Sequence, residues 1–232
     1  MAQYFTDFSE YATGSGAPSG WTGRWVATNI TYSIVEDAGV TGGKHLRLVR
    51  TSSGRSLLSW DVIDADADRA TVEVLARVRR AEVGSDNNGG MVVRGSGAAG
   101  SETGYVGDPI CRATPSTNRV RINEYASGTF GQLANAINTW STNTWYWTRW
   151  QASGTALKIR RWAGAIGDEP GTWDVETTDA TTSAAGWVGA FLFFTGTFDF
   201  DVFGVGTNGD AAPSEAVGGG AVIVPKLMQL AA

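Results

Sequence analysis

Alternation of apolar and polar residues with period two is the pattern that most restricts this chain. In "ATVEVLARVRRAE" (70–82), Val72, Val74, Ala76 and Val78 fall on one face, and Thr71, Glu73, Leu75, Arg77 and Arg79 on the other. "KHLRLVR" (44–50) sets Leu46 and Leu48 against His45, Arg47 and Val49. "RVRINEY" (119–125) and "GWVGAFLFF" (186–194) read in the same way. A period of two belongs to a strand with one face in a core. Pieces rich in Gly, Asn and Asp separate these runs, and 31 Gly against 6 Pro suits many short strands joined by tight turns. Only "GQLANAINTW" (131–140) suggests a helical turn. Roughly a dozen strands in a chain of this size make an all-β, two-sheet antiparallel sandwich.

Two hairpins carry most of the aromatic residues. In "NTWYWTRWQASGTALKIRRWAG" (143–164), a turn at Ser153-Gly154 pairs residues whose numbers sum to 307. Trp150, Thr148 and Tyr146 then share an apolar face with Leu157, Ile159 and Arg161. The opposite face sets Arg149 across from Lys158, Trp147 from Arg160, and Trp145 from Trp162. The first face is expected in the core. Aromatic rings mixed with cations on the second suit a wet surface, where an Arg–indole contact contributes about 0.5–1 kcal/mol. Either loops cover that face, or Trp145, Trp147, Arg160 and Trp162 form a ligand- or partner-binding surface. In "GWVGAFLFFTGTFDFDVFGVGT" (186–207), a turn at Thr195-Gly196 would stack Phe191 on Phe200 and Phe193 on Phe198, leaving Asp199 and Asp201 towards solvent.

These hairpins resemble the C-terminal half of the laminin-G-like, concanavalin A-like jelly-roll superfamily. The likeness rests on Trp147, Arg149, Gly154, Leu157, Lys158 and Trp162, then Glu169-Pro170, Trp173, Gly186, Gly189 and Phe198-Asp199. The N-terminal "FTDFSEY" and "APSGWTGRW" extend it over roughly residues 3–208. The resemblance implies two antiparallel sheets, one of them concave, with binding sites on the concave sheet or its rim loops. A jelly-roll domain is therefore expected over 1–206, a linker over 207–220, and an apolar C-terminal docking arm over 221–232. Val222, Ile223, Val224, Leu227, Met228 and Leu230 form that arm, which Pro225 keeps from being one helix.

The formal net charge of −5 offers no footprint for nucleic acid, and no apolar run is long enough to span a membrane. His45 and Cys111 are the only residues of their types, so thiolate metal clusters and most His-dependent triads are excluded. His45 reads as a surface or packing residue, and Cys111 as a small buried hydrophobe. Hydrolytic members of the superfamily carry two or three acidic residues alternating on one strand; here Glu73 is followed on its face by Leu75 and Arg77, so no catalytic residue is assigned. "DADAD" (64–68) fails the EF-hand pattern at Arg69 and Leu75. Asp86, with Asn87 and Asn88, could offer oxygen ligands to calcium; a turn stabilised by Asx side chains accounts for the same residues. No other cofactor is expected.

The N-terminal "MAQYFTDFSEY" lacks the basic start and apolar run of a secretory signal. A lectin-like sandwich of that kind suits a bacteriophage virion protein, which leaves its host by lysis. The leading expectation is thus a non-catalytic structural or binding protein of a virion, in capsid or tail decoration. It would contact other virion proteins, copies of itself or a surface glycan. The alternative is a secreted, extracellular carbohydrate-binding module; a glycoside hydrolase comes third.

Overall fold

A computed structural model describes residues 2–25, 29–52, 54–81, 87–111 and 118–216, with backbone only at 87–88 and 109–111. About 56% of the described residues are strand, in two antiparallel sheets packed as a sandwich. Among the described residues no helix is long and apolar enough to cross a membrane.

The strands are β1 (Gln3–Thr6), β2 (Gly14–Ser15), β3 (Trp21–Gly23), β4 (Ile30–Glu36), β5 (Lys44–Arg50), β6 (Arg55–Trp60), β7 (Val72–Arg80) and β8 (Asn87–Ser96). They continue with β9 (Thr103–Cys111), β10 (Arg119–Ala126), β11 (Thr129–Ile137), β12 (Trp145–Ser153), β13 (Ala156–Ala163), β14 (Val175–Thr178), β15 (Trp187–Phe193) and β16 (Gly196–Thr207). Nine strands form one sheet in the order β14-β13-β12-β7-β16-β5-β4-β2, with β1 also on β16. Seven form the other, β11-β10-β9-β8-β15-β6-β3. The alternation in β7 is resolved as expected: Val72, Val74, Ala76 and Val78 are buried between the sheets beside Leu46 and Leu48 of β5.

Three local expectations are corrected. Residues 131–137 are not helical but continue β11, because β10 supplies backbone partners along the run at every residue but Leu133. The β12–β13 turn lies at Gly154-Thr155, with Gly154 at a φ of 54°, so paired numbers sum to 309. A slip of two residues keeps every side chain on its face but changes its partner. Trp147 is opposite Trp162 and Arg149 opposite Arg160, while Trp145 pairs across to Arg79 of β7.

The third correction is larger. β15 and β16 are not a hairpin: β15 pairs with β6 and β8, and β16 with β5, β7 and β1. The chain crosses between sheets at Phe194-Thr195, with Phe194 at a φ of 67°. Phe191 therefore packs on the outer side of the seven-stranded sheet, whereas Phe198, Phe200 and Phe203 fill the core. A bulge between Phe200 and Val202 turns Asp201 and Val202 to the same side, next to Asp199.

"DADAD" has a structural role. Asp66 accepts from the Asp68 amide, from the Tyr4 hydroxyl at 3.1 Å and from the Thr207 hydroxyl at 2.6 Å. It ties the first strand to the end of the last. Burial acts to raise its pKa, but these donors outweigh it and leave the carboxyl below its ordinary value.

Candidate functional site

Trp145, Trp147, Arg160 and Trp162 share the outer face of the nine-stranded sheet, as the alternation implied, but they do not make an open platform. Trp147 and Trp162 stack with centroids 6.3 Å apart and are 7% and 6% exposed. Leu75, Val202 and Ala212 pack around them, with Phe5 and Ile166 at the margin. Residues 207–213, read from sequence as linker, help to close this face. The Ala212 amide donates to Glu73 at 3.0 Å, and Gly204 has no room for a Cβ because the Pro213 carbonyl would stand 2.0 Å from it. Arg149 is held by Glu169 and Glu73, and Arg160 by Glu169 and the Pro170 carbonyl, beneath Trp173. Trp145 is half-buried, with the Arg79 guanidinium 4.3 Å from its ring centre and His45 edge-on at 5.9 Å.

Beside Trp145 lies a charge network in place of the solvent-facing aspartates expected. Asp199 is fully buried and receives Arg47 at 2.8 and 3.0 Å and Arg79 at 3.1 and 2.8 Å. His45 Nε2 stands 3.5 Å from it. Burial alone would raise its pKa, but His45 and Arg47 outweigh that and hold Asp199 well below the carboxylate range. Asp201 takes Arg77 at 2.7 Å and the Thr41 hydroxyl at 3.3 Å. His45 is 1% exposed and belongs to this network, not to the surface. Most of the cations here are committed to carboxylates of the same face.

The outer face of the seven-stranded sheet is built differently. One half is apolar: Trp25 folds over Tyr125 and Phe191, at 5.5 and 6.3 Å, and closes on Leu57, Val92 and Val106. Arg55 lies 4.9 Å above the Tyr125 ring and pairs with Glu102 at 2.7 Å. The other half is polar. Asp108 on β9 and Arg121 on β10 are register partners, joined by Nε–Oδ1 and Nη2–Oδ2 contacts of 3.3 and 2.8 Å. Asn123, two residues on along the same face, donates its amide to Asp108 at 2.6 Å. Its own carbonyl oxygen is buried and has no hydrogen-bond partner among the described residues.

Asp108 and Asn123 are each 1% exposed and Arg121 8%, so this cluster is itself buried, and leaving its acceptor unpaired costs about 1–3 kcal/mol. Burial raises the pKa of Asp108; Arg121 and Asn123 oppose that rise. Gly90 is required alongside, since a Cβ there would lie 2.2 Å from the Gly107 carbonyl. At the rim, Phe130 is 45% exposed, with the Arg121 guanidinium 5.9 Å from its ring. Asp108, Arg121, Asn123 and Phe130 thus combine planar hydrogen-bonding groups with an open aromatic ring. The strand alternation "RVRINEY" placed Arg121, Asn123 and Tyr125 on one face. Only the pairing of β10 with β9 brings Asp108 to them.

No protein-family model matches the chain, and no curated protein matches it in sequence. Solved structures do match in fold. The CBM66 carbohydrate-binding module of Bacillus subtilis superposes with a TM-score of 0.55 at 15% identity, covering 78% of this chain and 91% of that one. The exoplasmic/lumenal domain of VIP36, bound to Ca2+ and Man3GlcNAc, gives 0.55 at 10% identity, covering 86% of each chain. The potassium-bound carbohydrate recognition domain of Emp46p gives 0.54 at 8%, covering 81% and 88%. The chain has the fold of a lectin-like jelly roll. At these identities the likeness concerns the fold alone.

Among the described residues no group of three or more His, Cys, Asp or Glu side chains is placed to hold a metal. Asp86 and the side chains of Asn87 and Cys111 lie outside the described residues, as do Val222, Ile223, Val224, Leu227, Met228 and Leu230 of the arm.

Proposed function

We propose that this domain binds carbohydrate without hydrolysing it, through the polar half of the outer face of the seven-stranded sheet. The observation that carries the reading is the Asp108–Arg121–Asn123 cluster, fixed by its own hydrogen bonds and left with one unpaired acceptor beside exposed Phe130. A sugar ring face suits the exposed Phe130, and a sugar hydroxyl that reached the buried Asn123 carbonyl would supply the donor it lacks. Both oxygens of Asp108 already accept from protein donors, which fits an orienting group better than a nucleophile or proton donor. Carbohydrate-binding and lectin domains among the similar folds support the class of ligand. The reading favours the alternative of an extracellular carbohydrate-binding module over the virion component. The virion expectation leaned on the N-terminal sequence and on the arm, the latter outside the described residues, and the similar folds give it no support.

Binding to an array of mannose-, galactose- and fructose-terminated glycans tests this. The wild-type chain should retain at least one class. Asn123→Ala should abolish that retention. Phe130→Ala should weaken it more than tenfold while changing stability by no more than about 0.5 kcal/mol, as at most exposed sites. No retention by the wild type, or retention unaltered in both variants, would overturn the proposal.

A further inference from the structure

The four sheet edges of the described structure are unequal. The nine-stranded sheet ends in β14, with four residues, and β2, with two; the seven-stranded sheet ends on one side in β3, with three. Short edges are a usual defence against pairing with another chain, and so are charges and proline on an edge. β11, the remaining edge, is neither short nor charged nor broken by proline, and the irregularity at Leu133 is its one interruption. It runs for nine residues, TFGQLANAI, without a charge or a proline. Its backbone pairs only with β10 among the described residues. The large hydrophobic side chains exposed on the described surface, Phe130 at 45% and Ile137 at 71%, both lie on it.

We propose that β11 pairs antiparallel with β11 of a second copy of this chain, continuing the seven-stranded sheet across a two-fold axis. The register shift between Ile122 and Asn123 leaves Leu133 as an extra residue in mid-strand. It brings Phe130, Gln132, Asn135 and Ile137 onto one exposed face, opposite Tyr125, Asn123, Arg121 and Arg119 of β10. With the axis between Leu133 and Ala134, Phe130 of each copy meets Ile137 of the other, and Gln132 meets Asn135. An apolar pair and an amide pair thus each form twice. Across such an axis a strand with charges of one sign sets like charges opposite or diagonal to one another, which destabilises. In a chain of net charge −5, an uncharged strand escapes that penalty. These are the features of a self-complementary, isologous contact. A single strand pair buries less than the roughly 1,600 Å2 of a standard interface, so the association is weak and concentration-dependent.

Sedimentation velocity on the full chain, from micromolar to submillimolar concentration, tests the proposal. Wild type should move from the mass of one copy towards two. Gln132→Lys combined with Asn135→Lys sets lysine against lysine twice and should stay at one copy, with unchanged circular dichroism and melting. Mixing it with a Gln132→Glu, Asn135→Glu variant should restore the mass of two. A wild type that stays at one copy throughout, a lysine variant that associates as wild type does, or growth beyond two copies would each overturn it.

Discussion

Trp147 and Trp150 stand three residues apart on β12, and both are buried, for different reasons. Trp150 points between the sheets and is fully enclosed; Trp147 points outward and is covered by its stack on Trp162 and by the segment through Ala212. Trp150→Ala should cost roughly 3–5 kcal/mol, the range for a core aromatic truncation. Trp147→Ala should fall near the lower end of that range, and Trp145→Ala well below it; urea denaturation of the three variants checks the order. Asp199 gives a pH signature. Its pKa is depressed in the folded state, so the unfolded chain takes up a proton first as pH falls below about 4. Its stabilisation is present at neutral pH and fades towards acid. Asp199→Asn should therefore destabilise by about 3–5 kcal/mol at neutral pH, because Arg47 and Arg79 lose a buried partner. The gap from wild type should narrow in acid, as denaturant midpoints at several pH values will show.

At the scale of elements, connections were harder to read than strands. The alternation in β12 and β13 sorts their side chains between faces, and that sorting survived a wrong turn because the slip was two residues. β15 and β16 defeated the same logic. Both strands have their two faces largely covered, so period two does not tell a hairpin within a sheet from a two-residue crossing between sheets. The stretch after β16 has the composition of a linker, yet Ala212 and Pro213 are buried against β7 and β16. A chain ending at Gly209 should lose several degrees of melting temperature through exposure of Trp147 and Val202. A chain ending at Ala216 should melt as the full chain does. Equal melting of the two would show that the segment covers nothing. Gly90→Ala tests the close approach of β8 to β9: its Cβ meets the Gly107 carbonyl, and overpacking of this kind costs about 1–3 kcal/mol.

For the whole molecule, far-ultraviolet circular dichroism should show a strand-dominated spectrum, in keeping with a strand content near 56% among the described residues. The sequence by itself determined the fold class and the inward residues of the clearest strands, such as Val74, Ala76, Leu46 and Leu48. Period-two alternation is a local property, set by the geometry of one strand. The polar site was half legible: Arg121 and Asn123 could be placed on one face, but nothing in the sequence marked Asp108, thirteen residues before Arg121, as their partner. The buried network of Asp199, Arg47, Arg79 and His45 was not legible at all, since its members come from β16, β5 and β7. Only the tertiary structure decided that the outward Trp147 and Trp162 are sealed, while Phe130 stays open in the single chain. Alternation tells which side of its own strand a residue takes; what covers that side is contributed by chain far away in sequence.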